Sequence, residues 1–181
     1  MMRFTDLYVG IKVLAWFMEN PSTGVYINSL ARILNISPAS AKRFLDEYAQ
    51  EGFLITEPHG NTRQFTLNND DFVVKSLKRT HILARLKHAG IMETGSSMIT
   101  LAVYGSTAAG TYTETSDIDL LVIGKESDIN RDILVVLQND LGKEIQLTVF
   151  SLVKWEKMKS TYDTFARNIL RDHVVIKGVS L

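Results

Sequence analysis

Tyr104-Gly105-Ser106-Thr107-Ala108-Ala109-Gly110, followed by Ser116-Asp117-Ile118-Asp119-Leu120-Leu121-Val122-Ile123, is the stretch on which the fold reading turns. Met98 to Tyr104 reads as a buried strand that runs into a turn of small residues. A strand ending this way exposes backbone N–H groups, and small residues let anion oxygens approach closely. The Ser106 hydroxyl adds a donor, and a helix starting there adds its positive N-terminal end. The second half gives the turn its meaning. Asp117 and Asp119 flank Ile118, and alternate residues of a strand point to one face. Two carboxylates side by side suit a hard divalent cation bound through oxygen. The bland alternative is a polar turn with Asp119 at an exposed strand end. Aspartate is disfavoured in strands, so two at a strand start point to a purpose.

The spacing is specific. A hydrophobic-Gly-Ser turn, ten residues from Thr107 to Ser116, then Asp-hydrophobic-Asp-hydrophobic resembles the nucleotidyltransferase superfamily of DNA polymerase beta, and the minimal nucleotidyltransferases most of all. The resemblance spans about residues 70–181. It implies a mixed sheet flanked by helices and a metal-dependent transfer of a nucleoside monophosphate from a nucleoside triphosphate to an acceptor hydroxyl. It implies Mg2+ or Mn2+ on Asp117 and Asp119, and nucleotide contacts from Gly105, Ser106 and Ser116. Two such cations about 3.5–4 Å apart clamp the attacking and leaving oxygens.

The family usually adds a third carboxylate from a later strand, the group expected to act as general base. Here that strand is Glu144-Ile145-Gln146-Leu147-Thr148-Val149-Phe150. Alternation puts Glu144, Gln146 and Thr148 on one face. Gln146 stands nearest the expected acid, and an amide cannot take a proton at neutral pH. Glu144, one pleat earlier on that face, is the candidate third catalytic acid. Thr107 and Ala109 stand where minimal nucleotidyltransferases often carry basic residues.

The first third of the chain has a different pattern, which predicts a second domain. Leu7, Ile11, Leu14 and Met18 have the spacing of one helix face, and Asn20-Pro21 ends that helix. A short helix carries Leu30, Ala31 and Leu34, with Asn28 as its cap. Ser37-Pro38 opens a third helix, with serine at the cap and proline at the first turn. Phe44, Leu45, Tyr48 and Ala49 form its inner face, and Gly52 closes it. Phe53–Thr56 and Gln64–Leu67 have strand character around a Pro58-His59-Gly60-Asn61 turn. Residues 27–67 thus resemble a winged helix-turn-helix. That resemblance implies a recognition helix from Ser37 to Gln50 with Ser40, Lys42 and Arg43 outward, and a wing tip with His59, Asn61 and Arg63. Lys and Arg there suit phosphates, and Ser40 or Asn61 suits base edges. Winged helices also serve as protein-contact modules. Residues 1–80 hold nine Lys/Arg against eight Asp/Glu, a weak footprint for DNA.

The expected organisation is therefore a winged helix over residues 1–69 and a transferase domain over 70–181. A long helix, about 70–90, joins them. Its Val73, Val74, Leu77, His81, Ala84 and Leu86 form the apolar stripe, and Lys75, Lys78, Arg79, Arg85 and Lys87 a solvated basic face. Beyond the later strand, Ser151 caps a helix with Val153, Trp155 and Met158. A further helix carries Phe165, Ile169 and Leu170, and Val174–Ile176 is a terminal strand. His173 has no partner pattern and takes no role.

Composition sets bounds. The 181 residues carry 20 basic and 20 acidic side chains, so no global field selects nucleic acid or membrane. With no cysteine, disulfides and cysteine-ligated metals are excluded. No apolar run reaches the length of a membrane span, and Met1–Asp6 lacks a signal-peptide form. A cytoplasmic protein is expected. Its partners are a nucleoside triphosphate and, through the winged helix, DNA or a protein. A second function also fits the residues: a DNA-binding regulator, or an antitoxin-like protein, whose nucleotide-binding domain is catalytically weakened.

Overall fold

The computed structural model describes residues 8–95 and 97–181. The chain divides into two compact units, Met1–Lys78 and Arg79–Leu181. Among the described residues no helix is long and apolar enough to cross a membrane.

Unit 1 is built from α1 (Val9–Glu19), β1 (Val25–Tyr26), α2 (Ile27–Leu34), α3 (Pro38–Gln50), β2 (Leu54–His59) and β3 (Thr62–Leu67). Its three strands are antiparallel in the order β1-β3-β2. Ser37 caps α3 by accepting the Ser40 N–H at 3.0 Å, and Pro38 occupies the first turn, where its missing N–H costs nothing. Beyond α3, Gly52 takes φ +79°, and the Phe53 N–H returns to the Tyr48 carbonyl at 2.9 Å. Val13, Phe17, Leu30, Leu45, Phe65 and Leu67 meet in one core.

Several local expectations change. The buried face of α1 is Gly10, Val13, Phe17 and Met18, with Ile11 and Leu14 half-buried. Leu7 lies outside the described residues. Nearly every α1 position is apolar, so spacing alone cannot select a stripe. Asn28 lies inside α2, whose cap is Tyr26 with no side-chain bond. The hairpin turn is only Gly60-Asn61, because Pro58 pairs with Arg63 within the ladder. β2 is an edge strand, where a residue without an N–H is tolerated.

α4 (Phe72–His88) contains the boundary between the units. Lys78, expected on a solvated face, is 1% exposed, and its ammonium donates to Asn69 Oδ1 at 2.8 Å. That polar partner is what lets a lysine leave water.

Unit 2 continues with β4 (Thr100–Tyr104), α5 (Gly105–Ala109), β5 (Ile118–Ile123), α6 (Arg131–Leu141), β6 (Ile145–Phe150), α7 (Leu152–Ser160), α8 (Thr164–Arg171) and β7 (His173–Gly178). The sheet order is β6-β5-β4-β7. β4 is antiparallel to β5 and β7, while β5 and β6 are parallel. Parallel neighbours need a crossover, and α6 supplies it. The central strands are apolar on both faces. Ile118, Leu120 and Val122 pack with Leu86, Leu134 and Leu137. Leu121 and Ile123 pack on the other face with Trp155, Ala166 and Ile169. Ser151 caps α7 as expected, but Val153 points out at 81% exposed.

Candidate functional site

β4 and β5 run antiparallel, so the end of one meets the start of the other, with Tyr104 opposite Asp119. This pairing brings the Gly105-Ser106 turn to the aspartates. Gly105 has φ +67°, which a side chain opposes. A Cβ there would lie 2.5 Å from Asp119 Oδ2. Glycine is thus required twice, once by the backbone angle and once by the carboxylate packed against it. Ser106 is half-buried, while Thr107 and Ala108 are buried, so α5 packs down through those two residues.

Asp119 precedes Leu121 by two residues, and so shares the face covered by α7 and α8. Asp117 stands just before β5. Both aspartates are half-buried. Burial, and then the charge of Asp117, push the Asp119 carboxyl above its ordinary range. The strand registers align His173, Tyr104, Asp119 and Gln146 in a row across the sheet. Burial raises the Tyr104 phenol, against a hydrogen bond with Thr148 Oγ1 at 3.1 Å and with the Asp119 charge adding to the rise.

Gln146 sits directly opposite Asp119 on the parallel neighbour, and its Nε2 donates to Asp117 Oδ2 at 3.3 Å. Glu144 lies before β6 with its side chain exposed, and its carbonyl accepts the Ile118 N–H at 2.9 Å. Among the described residues no group of three or more His, Cys, Asp or Glu is gathered as a metal cluster. The structure therefore brings together Gly105, Asp117, Asp119 and Gln146, and does not collect Glu144 into a carboxylate cluster with them. Ser116 turns its hydroxyl into its own loop, accepting the Thr113 N–H at 2.8 Å and meeting Thr113 Oγ1 at 3.1 Å.

One residue here carries no signal in the sequence. Lys143 Nζ donates to the carbonyls of Thr113 and Glu114, both at 2.8 Å, and of Ser116 at 3.1 Å. It also lies 5.6 Å from the Tyr112 ring centroid. Burial lowers its ammonium from the usual lysine range, opposed by the charges of Glu114 and Asp117.

In unit 1 the expected nucleic-acid residues have partners of their own. Lys42 Nζ lies 2.6 Å from Asp46 Oδ2, and Arg63 lies 2.5 Å from Asp46 Oδ1. Their hydrogen bonds hold the Asp46 carboxyl below its ordinary range, the Lys42 bond most and against some desolvation. Arg43 covers the Phe44 ring at 4.5 Å. Ser40 accepts from Ser37 Oγ at 2.9 Å, His59 lies edge-on to Tyr26, and Asn61 is exposed at the hairpin tip.

The nucleotidyltransferase domain family model matches residues 86–176, half of the chain. The chain belongs to this family. The match spans β4 to β7 and contains the Gly-Ser turn, both aspartates and Gln146. No curated protein matches the chain. Membership makes a nucleotide moiety the group that proteins of this kind transfer, and the polymerase beta superfamily the wider relation.

Proposed function

We propose that the chain is a metal-dependent nucleotidyltransferase that moves a nucleoside monophosphate from a nucleoside triphosphate to an acceptor hydroxyl. The observation that carries this is Asp117 and Asp119 at the start of β5, with Gly105 packed on the Asp119 carboxylate. The donor set fits Mg2+ or Mn2+: two hard oxygen ligands, partly removed from water, whose mutual repulsion a cation would offset. Bound there, such a cation would polarise phosphoryl oxygens and offset the charge that builds on them.

The chain's own residues divide the remaining work. Gly105 leaves room for the Asp119 carboxylate against the turn, where a side chain would displace it. The Ser106 hydroxyl is the side-chain donor beside it. Ser116 acts through the loop that precedes Asp117. Gln146 holds Asp117 with its amide. Glu144, exposed at the head of β6, is the remaining acid for an acceptor proton. We assign unit 1 to a winged helix-turn-helix that recruits DNA or another acceptor through Ser40, Lys42, Arg43, Asn61 and Arg63. A capped α3 followed by a two-stranded hairpin supports this reading. The functional division is a recruiting domain of about residues 1–69 and a transferase domain of about 70–181.

A second reading has its own observation. Gln146 stands opposite Asp119 where a base is expected, and it donates rather than accepts. A protein of this form would bind a nucleotide without turning it over and act as a DNA-binding regulator or an antitoxin-like partner.

Incubation with labelled nucleoside triphosphates, Mg2+ or Mn2+, and duplex or protein acceptors separates the two. Transfer that disappears in Asp117→Asn and Asp119→Asn is expected. Nucleotide binding with no transfer establishes the second reading. Transfer that survives both substitutions removes the site assignment.

A further inference from the structure

The turn from Thr113 to Ser116 delivers Asp117 to the sheet, and it is held from one place. Lys143 carries three N–H donors, and three carbonyls of this turn converge on them. The last of these belongs to Ser116, immediately before Asp117. The next residue, Glu144, accepts the N–H of Ile118, immediately after Asp117. The backbone on both sides of Asp117 is therefore gripped by two consecutive residues at the head of β6. The Ser116 hydroxyl closes the turn from inside by accepting the Thr113 N–H.

We propose that Lys143 is the positioning residue of the acid pair: its ammonium ties down the Thr113–Ser116 turn and so sets the Asp117 carboxylate beside Asp119 for a divalent cation. This rests on the reading of Asp117 and Asp119 as cation ligands. An ammonium suits the task better than a guanidinium, because its three donors diverge from one atom toward three acceptors. Its charge also stands near Asp117, where it offsets part of the repulsion between two carboxylates. The Tyr112 ring, itself buried, shields the ammonium on one side. Lys143 is thus a positioning residue, acting on Asp117 through the turn and through its charge.

The test compares the full chain with Lys143→Met and Lys143→Gln. Mn2+ affinity is read from the free-ion paramagnetic resonance signal, hydrogen exchange from the amides of residues 113–118, and folding from thermal unfolding. Lys143→Met is expected to weaken Mn2+ binding about tenfold, the usual effect of losing support behind a metal ligand. Exchange is expected to rise at Ser116 and Ile118 while the amides of β4 and α6 stay protected. Lys143→Gln keeps donors without the charge and should lose less affinity. It also serves as the readout if the methionine variant fails to fold. A folded variant with wild-type Mn2+ affinity and wild-type exchange at Ile118 overturns the proposal. If the wild type binds Mn2+ no better than Asp117→Asn/Asp119→Asn, the cation reading fails, and the proposal falls with it. The exchange measurement then still shows whether Lys143 holds the turn, so the two failures are told apart.

Discussion

Two charged regions of this molecule are built on opposite rules. On α3 and the hairpin of unit 1, one carboxylate, Asp46, sits between Lys42 and Arg63 and bonds to both. At the start of β5 in unit 2, two carboxylates stand two residues apart, the charge of Asp117 felt by Asp119, and the side chain that donates to Asp117 is a neutral amide. The first region balances its charge internally. The second leaves like charges together, and burial first and then the Asp117 charge push the Asp119 carboxyl upward. Carboxyls raised by burial and a like charge are the kind that functional sites collect. The contrast supports the proposed site in unit 2, and makes the cationic residues of unit 1 a weaker electrostatic footprint than their number suggests.

The sharpest way to break the contrast is Gly105→Ala. The new methyl group would meet Asp119 Oδ2, and the backbone would sit at a positive φ. The angle alone costs about 1–2 kcal/mol. Cation affinity should fall further than stability does, because the displaced atom is a proposed ligand. Thermal unfolding and Mn2+ titration of the same sample check this. Equal Mn2+ affinity in a folded variant would separate Gly105 from the site.

Asp119→Asn gives the next largest effect, and its sign depends on pH. The folded carboxyl of Asp119 titrates above the ordinary value of 3.8. Its contribution to stability is therefore complete below that unfolded value and is lost as pH rises through the folded value. Without added metal, the asparagine variant should melt above the wild type at neutral pH and lose that advantage in acid. In the wild type, Mn2+ binding should weaken on acidification sooner than an ordinary aspartate would allow. Unfolding scans across pH, with and without Mn2+, read both.

The smallest effect belongs to Asp46→Asn. The folded carboxyl of Asp46 titrates below its ordinary value, so its contribution is present above the unfolded value and lost as pH falls through the folded one. Asp46 and its partners are solvent-exposed enough that the stability change should stay under about 1 kcal/mol. The more telling readout is duplex DNA binding at low salt. Freed from Asp46, Lys42 and Arg63 should strengthen it and steepen its salt dependence. An unchanged salt slope would remove those residues from a nucleic-acid surface.

How far this was legible in the sequence follows from how local each cause is. The capped start of α3 at Ser37-Pro38 and the aspartates at a strand start depend on neighbours one to three residues away, so spacing reveals them. Strand alternation put Glu144, Gln146 and Thr148 on one face, but the β5–β6 register decides that Gln146 is the one opposite Asp119. Other features were set by distant partners. Lys78 reads as a solvated cation until Asn69 is seen to receive it. Asp46 reads as one more exposed acid until Arg63 arrives from 17 positions along the chain. Lys143 is anonymous because what matters is three carbonyls about 30 residues earlier. The two-residue strand β1 is too short to show a period, and the all-apolar α1 offers no face to choose.

Asp117 and Asp119 are proposed to bind a divalent cation together with a nucleotide. Titration of Mn2+ into the full chain, with and without a nucleoside triphosphate, tests it most directly. The expected result is binding that the triphosphate tightens and that Asp117→Asn/Asp119→Asn abolishes while the fold persists. Mn2+ and nucleotide binding of equal strength in the wild type and in that folded double variant would contradict it.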